Sequence, residues 1–299
     1  MRASRAFLLI KKVLTGLLRV KTCQRDLVSQ LILVSEFGLI LLLILQHTIQ
    51  CCLGDPSVLV GEGRQWRTLT FLCPRMCGEK DIHVFGIFDG HRGAAAAEFS
   101  ARALPGFLQS LGSIKSPSDA LLEAFVKIDV AFRNELDSHR KSKGVIQKDW
   151  HPGCTAIVAL IVRNKLFVAN AGDCRAMLCR AGSAYALSKD HVASCPEERE
   201  RIISEGRQVK WQVDTWRVGP AALQVTQSIG DDDLKPAMIA EPEITETILF
   251  VEDEYLDTVK EPRMCSKRLA TEAAERGSKD NITVIVVFLH PVSTAERIY

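Results

Sequence analysis

The chain is 299 residues long, 47% apolar and 25% charged, with a formal net charge of +2. That much apolar content builds one large core and leaves little room for a second full domain. A charge near neutrality, with no aromatic–basic interleaving and no zinc-finger spacing, argues against a nucleic-acid partner. Ten cysteines without a Cys-x-x-Cys pair read as reduced thiols of an intracellular protein rather than a disulfide frame. The first fifty residues stand apart: Arg2, Arg5, Lys11, Lys12, Arg19, Lys21 and Arg25 sit among leucines, followed by a charge-free run over 37–45. Bounded by Glu36 and by Gln46-His47, that run falls short of the roughly 20 residues that span a bilayer. An interfacial or targeting segment is the alternative, so membrane contact through residues 7–50 stays open without being favoured. We therefore divide the chain into a basic, leucine-rich segment, 1–55, and one domain, 56–299.

Further along, an apolar strand is expected over 81–88, then an alanine-rich helix over 93–104 that Pro105 interrupts. Ser116 as N-cap, Pro117 at the first helical position and Asp119 in the first turn announce a second helix. Its apolar face, Leu121, Leu122, Phe125, Ile128, Phe132 and Leu136, is expected to pack on a sheet. Strands over 155–162, 166–170 and 175–179, separated by polar or glycine-bearing turns, read as an antiparallel meander. Charged helices follow over 196–205 and 262–276, the second capped by Gly277, and a buried strand over 282–288 closes the pattern.

The chemistry gathers at strand ends. Asp89-Gly90 between apolar runs is most simply a hairpin turn. The same dipeptide followed by His91 also offers a hard-cation ligand, an approachable backbone carbonyl and a proton donor in succession. A second carboxylate, Asp280, stands in Gly277-Ser278-Lys279-Asp280-Asn281 ahead of the last strand. Between them lie Gly153-Cys154-Thr155-Ala156, Asn170-Ala171-Gly172-Asp173-Cys174-Arg175, Leu187-Ser188-Lys189-Asp190-His191, Val225-Thr226-Gln227-Ser228-Ile229-Gly230-Asp231 and Ala240-Glu241-Pro242. In this order the stretches resemble the metal-dependent protein phosphatases of type 2C. More narrowly, they resemble the phosphatase half of the plant protein kinase and type 2C phosphatase-like domain-containing proteins.

That resemblance implies an α+β fold, two packed antiparallel β-sheets flanked by helices on both sides (an αββα sandwich), here incomplete. It implies hydrolysis of phosphoserine or phosphothreonine in a phosphoprotein substrate by a water that two Mg²⁺ or Mn²⁺ ions activate. By matching positions, Asp89 would bridge both ions, Gly90 would offer its carbonyl, Asp280 would hold one ion and Asp173 a further, weaker one. For Asp173 a plain Gly-Asp turn is the competing reading. His91 would be the general acid, while His83, His151 and His191 read as ordinary structural or surface residues. An intracellular location, with or without membrane attachment, goes with this reading. No glycine-rich loop, His-Arg-Asp or Asp-Phe-Gly appears, which disfavours a kinase.

Two departures from the family pattern bear on turnover. Members carry a phosphate-binding arginine and a Met-Glu-Asp whose carboxylates complete the metal shell; here the stretch reads Gly63-Arg64-Gln65-Trp66-Arg67-Thr68-Leu69-Thr70-Phe71. Codons for 65–71 such as CAA TGG AGG ACA CTC ACT TTC contain, in another frame, ATG GAG GAC ACT CAC TTT, which encodes Met-Glu-Asp-Thr-His-Phe. Residues before about Cys73 are therefore expected to come from a shifted frame or from retained noncoding sequence, and a continuous transcript through Trp66 would overturn this. Secondly, after Glu252-Asp253-Glu254-Tyr255-Leu256 the family continues into Ser-Asp-Gly-Leu-Trp-Asp, whereas this chain passes directly to Asp257-Thr258-Val259. A catalytically impaired, binding-only relative, or a variant that folds poorly, are the alternatives these departures raise.

Overall fold

The computed structural model describes residues 30–35, 38–40, 68–74, 76, 81–108, 116–142, 150–180, 183–249, 269, 271, 273, 275–276 and 283–288. In chain order the elements are β1 (Gln30–Ser35), β2 (Gly38–Ile40), β3 (Thr68–Pro74), β4 (Ile82–His91), α1 (Ala95–Leu108), α2 (Pro117–Ser142), β5 (Gly153–Val162), β6 (Lys165–Ala171), β7 (Arg175–Arg180) and β8 (Ser183–Ala186). There follow α3 (Pro196–Ser204), β9 (Val209–Gln212), β10 (Thr215–Val218), β11 (Ile229–Gly230), a 3₁₀ turn (Asp232–Leu234), β12 (Glu243–Ile248) and β13 (Val284–Phe288). Leu269, Thr271, Ala273 and Glu275 are helical, within the helix expected over 262–276. No helix among the described residues is long and apolar enough to cross a membrane.

These elements form two compact units. The larger is built on a six-stranded sheet in the order β12-β6-β5-β4-β3, with β11 beside β5. β5 reads Gly-Cys-Thr-Ala-Ile-Val-Ala-Leu-Ile-Val and is buried over its first nine residues, the continuous apolar run expected of a central strand. α1 and α2 share a core with this sheet: Leu104, Leu108, Phe125, Ile128, Phe132 and Leu136 meet Phe88, Val158 and Leu160. Each such side chain contributes about 1.5–3 kcal/mol on burial. Ser116 caps α2 as the sequence indicates, its Oγ accepting from Asp119 N at 3.1 Å and donating to Asp119 Oδ2 at 2.7 Å.

Several expectations are corrected. Pro105 does not interrupt α1, which runs on to Leu108; Leu104 and Leu108 are both fully buried, and their burial outweighs the one backbone bond that proline removes. Leu122 is exposed, while Leu121, one position along, turns inward. The meander ends at β6, because Gly172 at φ +119 turns the chain away and β7 pairs instead with β1 and β8. The β9–β10 hairpin went unread, although Val209, Trp211, Thr215 and Val218 carry the strand-forming types around a Val213-Asp214 turn. β3 was also unread: it pairs with β4 along its length, with Phe71 buried and Leu69 and Cys73 packed on the core.

The second unit is built on a sheet in the order β13-β1-β7-β8, with β2 beside β1, all antiparallel. Residues 30–40, drawn from the segment set apart by composition, thus pair with strands at 175–180 and 284–288.

Candidate active site

The Asp-Gly pair is not a hairpin turn. β4 continues through Asp89, Gly90 and His91, which pair with Thr155, Cys154 and Gly153 of β5. The chain turns only afterwards, at Arg92 (φ 58) and Gly93 (φ 126), leading into α1. A rigid central strand, rather than a mobile loop tip, therefore delivers the three residues.

His91 is held from the other side by the Ser228-Ile229-Gly230-Asp231 stretch. β6 pairs with β5 only as far as Ala171 opposite Ala156; beyond it, Ile229 and Gly230 take over the pairing to Cys154 and Gly153. This carries Asp231 to the end of β4, where its Oδ2 lies 2.6 Å from His91 Nε2. Asp231 is fully buried. Ser228 Oγ donates to its Oδ2 at 2.6 Å and Arg92 Nη1 to its Oδ1 at 3.2 Å. A β-carbon on Gly153 would collide with Asp231 Oδ2 and His91 Nε2, and one on Gly230 with Pro152 O. Glycine at both positions is what lets the pair close. Burial works to lower the His91 pKa, but the charge and hydrogen bond of Asp231, with the charge of Asp89, outweigh it and the net shift is upward. Burial works to raise that of Asp231, and His91, Ser228 and Arg92 together reverse it, leaving the carboxyl below its usual range.

The carboxylate side is built differently. Asp89, half-buried, accepts from Thr68 Oγ1 at 2.8 Å, and Thr68 is its direct register partner on β3. The strand that should bring carboxylates thus brings a hydroxyl opposite Asp89. Asp173 is buried at the turn after β6. Thr155 connects the two: it pairs with Asp89, its side chain packs where a β-carbon of Gly172 would lie, and its Oγ1 is 3.3 Å from Cys174 Sγ. Burial, then the charges of Asp89 and Asp173, push the Cys174 thiol well up, and burial does the same to Cys154. The oxygen donors on this side are the carboxylates of Asp89 and Asp173 and the Gly90 carbonyl. Such a donor set suits Mg²⁺ or Mn²⁺. Asp280, Asp257 and Arg64 lie outside the described residues.

Two histidines set aside from sequence have defined partners. His191 Nδ1 accepts from Gly172 N at 3.2 Å and its Nε2 is 3.4 Å from Glu243 Oε2; burial lowers its pKa, and the neutral ring braces the turn that carries Asp173. His151 Nδ1 lies 2.7 Å from Asp232 Oδ1, and Arg140 of α2 donates to both Asp232 oxygens at 2.8 and 3.2 Å. Arg92 donates to both Asp233 oxygens at 2.8 and 3.0 Å. Among the described residues, His151, Asp232 and Asp233 are the one trio of groups close enough to share an ion. Two arginines already occupy these carboxylates, which makes the trio an ion-pair clamp rather than a cation site. Arg92, Gly153 and Asp231 were missed as site residues; Gly153 and Asp231 stand in quoted motifs and Arg92 follows His91 directly, but the pairing of β11 with β5 that joins them is not visible in the sequence.

Residues 63–259 match the protein phosphatase 2C family. A protein kinase and PP2C-like domain-containing protein of Oryza sativa subsp. japonica is 68% identical over 250 residues, covering 77% of this chain and 38% of its own length. Its Arabidopsis thaliana counterpart is 66% identical over the same shares. Probable protein phosphatase 2C 45 of Oryza sativa subsp. japonica is 38% identical over 70% of this chain and 78% of its own length. The chain thus spans well under half the length of the first two relatives. Among solved structures, a sex determining protein of C. elegans superposes with a TM-score of 0.65 at 21% identity, over 79% of this chain and 64% of its own. A serine-threonine phosphatase 2C from Toxoplasma gondii gives 0.54 at 20% identity, over 64% and 72%. The α+β class expected from sequence is the fold these structures share.

Proposed function

This chain belongs to the protein phosphatase 2C family, and from that premise we propose that it is a divalent-metal-dependent phosphatase domain acting on phosphoserine and phosphothreonine in proteins. The observation that carries the reading is the unbroken run of β4 through Asp89, Gly90 and His91, with His91 fixed by Asp231. Asp89, the Gly90 carbonyl, Asp173 and Asp280 are the residues we assign to hold Mg²⁺ or Mn²⁺. When bound, such ions lower the pKa of a water and offset the charge that develops on phosphoryl oxygens. His91 hands a proton to the departing serine or threonine oxygen, and the upward shift of its pKa keeps that proton available near neutrality. Asp231 stays anionic and takes up no proton. Thr155 and His191 hold the Asp89 and Asp173 backbones in place.

The domain division we propose is 1–55 and 56–299, the first lending a strand to a sheet of the second. The substrate is a phosphoprotein rather than a nucleic acid, and an intracellular location fits the reduced cysteines; membrane contact through residues 7–50 is not favoured. Mn²⁺-dependent release of phosphate from a phosphothreonine peptide by the full chain, lost in Asp89→Ala, tests the reading. No release from a chain that melts cooperatively would refute it. One observation favours a second reading, a relative that binds phosphoproteins without turnover: the residue opposite Asp89 is Thr68, not a carboxylate.

A further inference from the structure

Asp231 adopts φ 46 and ψ 46, a left-handed conformation that a non-glycine residue seldom takes. Its neighbours over-determine that geometry. Gly230 N donates to Asp129 Oδ1 of α2 at 2.8 Å, Asp231 N donates to Pro152 O at 3.2 Å, and Leu234 N donates to Asp231 O at 2.9 Å. Strain maintained in this way at a buried carboxylate marks a residue whose side-chain direction matters. The side chain points at one group of the proposed machinery, the His91 ring. Ser228 and Arg92 are donors to Asp231, so its carboxylate acts as an acceptor and the ring nitrogen facing it carries hydrogen.

We propose that Asp231 is a positioning residue for catalysis: by accepting the Nε2 proton of His91 it fixes the ring's tautomer and rotation, leaving Nδ1 as the nitrogen that delivers a proton to the leaving oxygen. The inference rests on the reading of His91 as general acid. An aspartate on a ring nitrogen both orients the imidazole and stabilises its charged form. Arg92 sets the direction of the carboxylate, and Gly153 supplies the space in which the two side chains meet.

Two measurements on the full chain separate this proposal from the phosphatase reading. In the first, ¹H–¹⁵N spectra of the histidine rings are compared for the native chain, His91→Gln and Asp231→Asn. His91, assigned by its disappearance in His91→Gln, shows a persistent, low-field Nε2 proton that Asp231→Asn weakens or moves to Nδ1. An unchanged ring signal in Asp231→Asn overturns the proposal, whether or not the chain turns over phosphate. In the second, hydrolysis of a phosphothreonine peptide and of 4-nitrophenyl phosphate is followed with Mn²⁺. An alkoxide leaves poorly without a proton, whereas 4-nitrophenolate leaves without help, so Asp231→Asn lowers kcat for the peptide about 10²-fold more than for the nitrophenyl ester. In the His91→Gln background, Asp231→Asn costs nothing further for the peptide. Equal losses on both substrates, with the double variant below His91→Gln alone, would mean that Asp231 serves the fold alone. Should His91→Gln itself fail to discriminate the substrates, the acid assignment of His91 fails instead. Ser228→Ala, which frees one acceptor site of Asp231 without removing it, moves both readouts in the same direction by less and covers the case of an unfolded Asp231→Asn.

Discussion

The two sides of the β4 end contrast in how completely they are built. On the His91 side the Asp231 carboxylate is fully engaged, meeting His91 Nε2, Ser228 and Arg92. Asp129 holds the preceding glycine, and Gly153 leaves the room required. On the Asp89 side the strand that should supply a facing carboxylate supplies Thr68. Asp89 and His91 share β4, but the side chains that complete each of them come from separate segments, Thr68 of β3 for Asp89 and Asp231 beside β11 for His91. A chain can therefore keep the family's acid–base corner while losing affinity for its ions, and this difference separates turnover from mere binding.

Asp89→Ala is the widest cut across this contrast. If Asp89 holds the ions as proposed, several kcal/mol of charge stabilisation go with it, so peptide hydrolysis should fall by about 10³-fold while the His91 ring spectrum keeps its Nε2 proton. Thr68→Asp acts in the opposite sense. It restores a carboxylate opposite Asp89, and calorimetric titration should show Mn²⁺ binding about tenfold tighter or better; unchanged affinity would show that the side was not short of a ligand. Gly153→Ala forces a methyl group between His91 and Asp231. Overpacking of this kind costs about 1–3 kcal/mol in chemical denaturation, and the peptide-over-ester loss should match that of Asp231→Asn. Ser116→Ala, far from either side, should cost about 1 kcal/mol with no preference between substrates.

The clamp beside the corner gives a pH test. Burial works to raise the Asp232 pKa, but hydrogen bonds from Arg140 and His151 bring it down to about 2. A depressed carboxylate stabilises the fold above its unfolded pKa, about 3.9, and loses that stability as pH falls through the folded value. Between about pH 4 and pH 2 the fold should therefore lose about 1–2 kcal/mol through this group, discounted for its partial exposure. Arg140→Gln should remove most of that slope. A slope unchanged by Arg140→Gln would show that other carboxylates set the acid limb.

Much of the site was legible because its chemistry sits on one continuous strand. Asp89, Gly90 and His91 are consecutive, and the periodicity that predicts β4 also places them at its end. The partner of His91 was not legible: Asp231 lies 140 positions away, and only the exchange of β6 for β11 along β5 brings it near. Pro105 misled because a local rule met a stronger demand, the burial of Leu104 and Leu108 on either side of it. β7 misled for the reverse reason. Its sequence fits a meander, but Gly172 turns the chain away before it can pair with β6. His151 stands in no quoted motif, and His191 closes one that gives it no role; their roles come from distant partners, Asp232 and Arg140 for the first and Gly172 and Glu243 for the second.

The central claim is that the β4 end forms a working metal and acid site in this chain. It is tested most directly by Mn²⁺-dependent phosphate release from a phosphothreonine peptide, with the full chain and Asp89→Ala side by side. The account predicts release that requires the ion, saturates with it and disappears in the variant. A cooperatively melting native chain that releases no phosphate at saturating Mn²⁺, or a variant that releases it as fast, would contradict it.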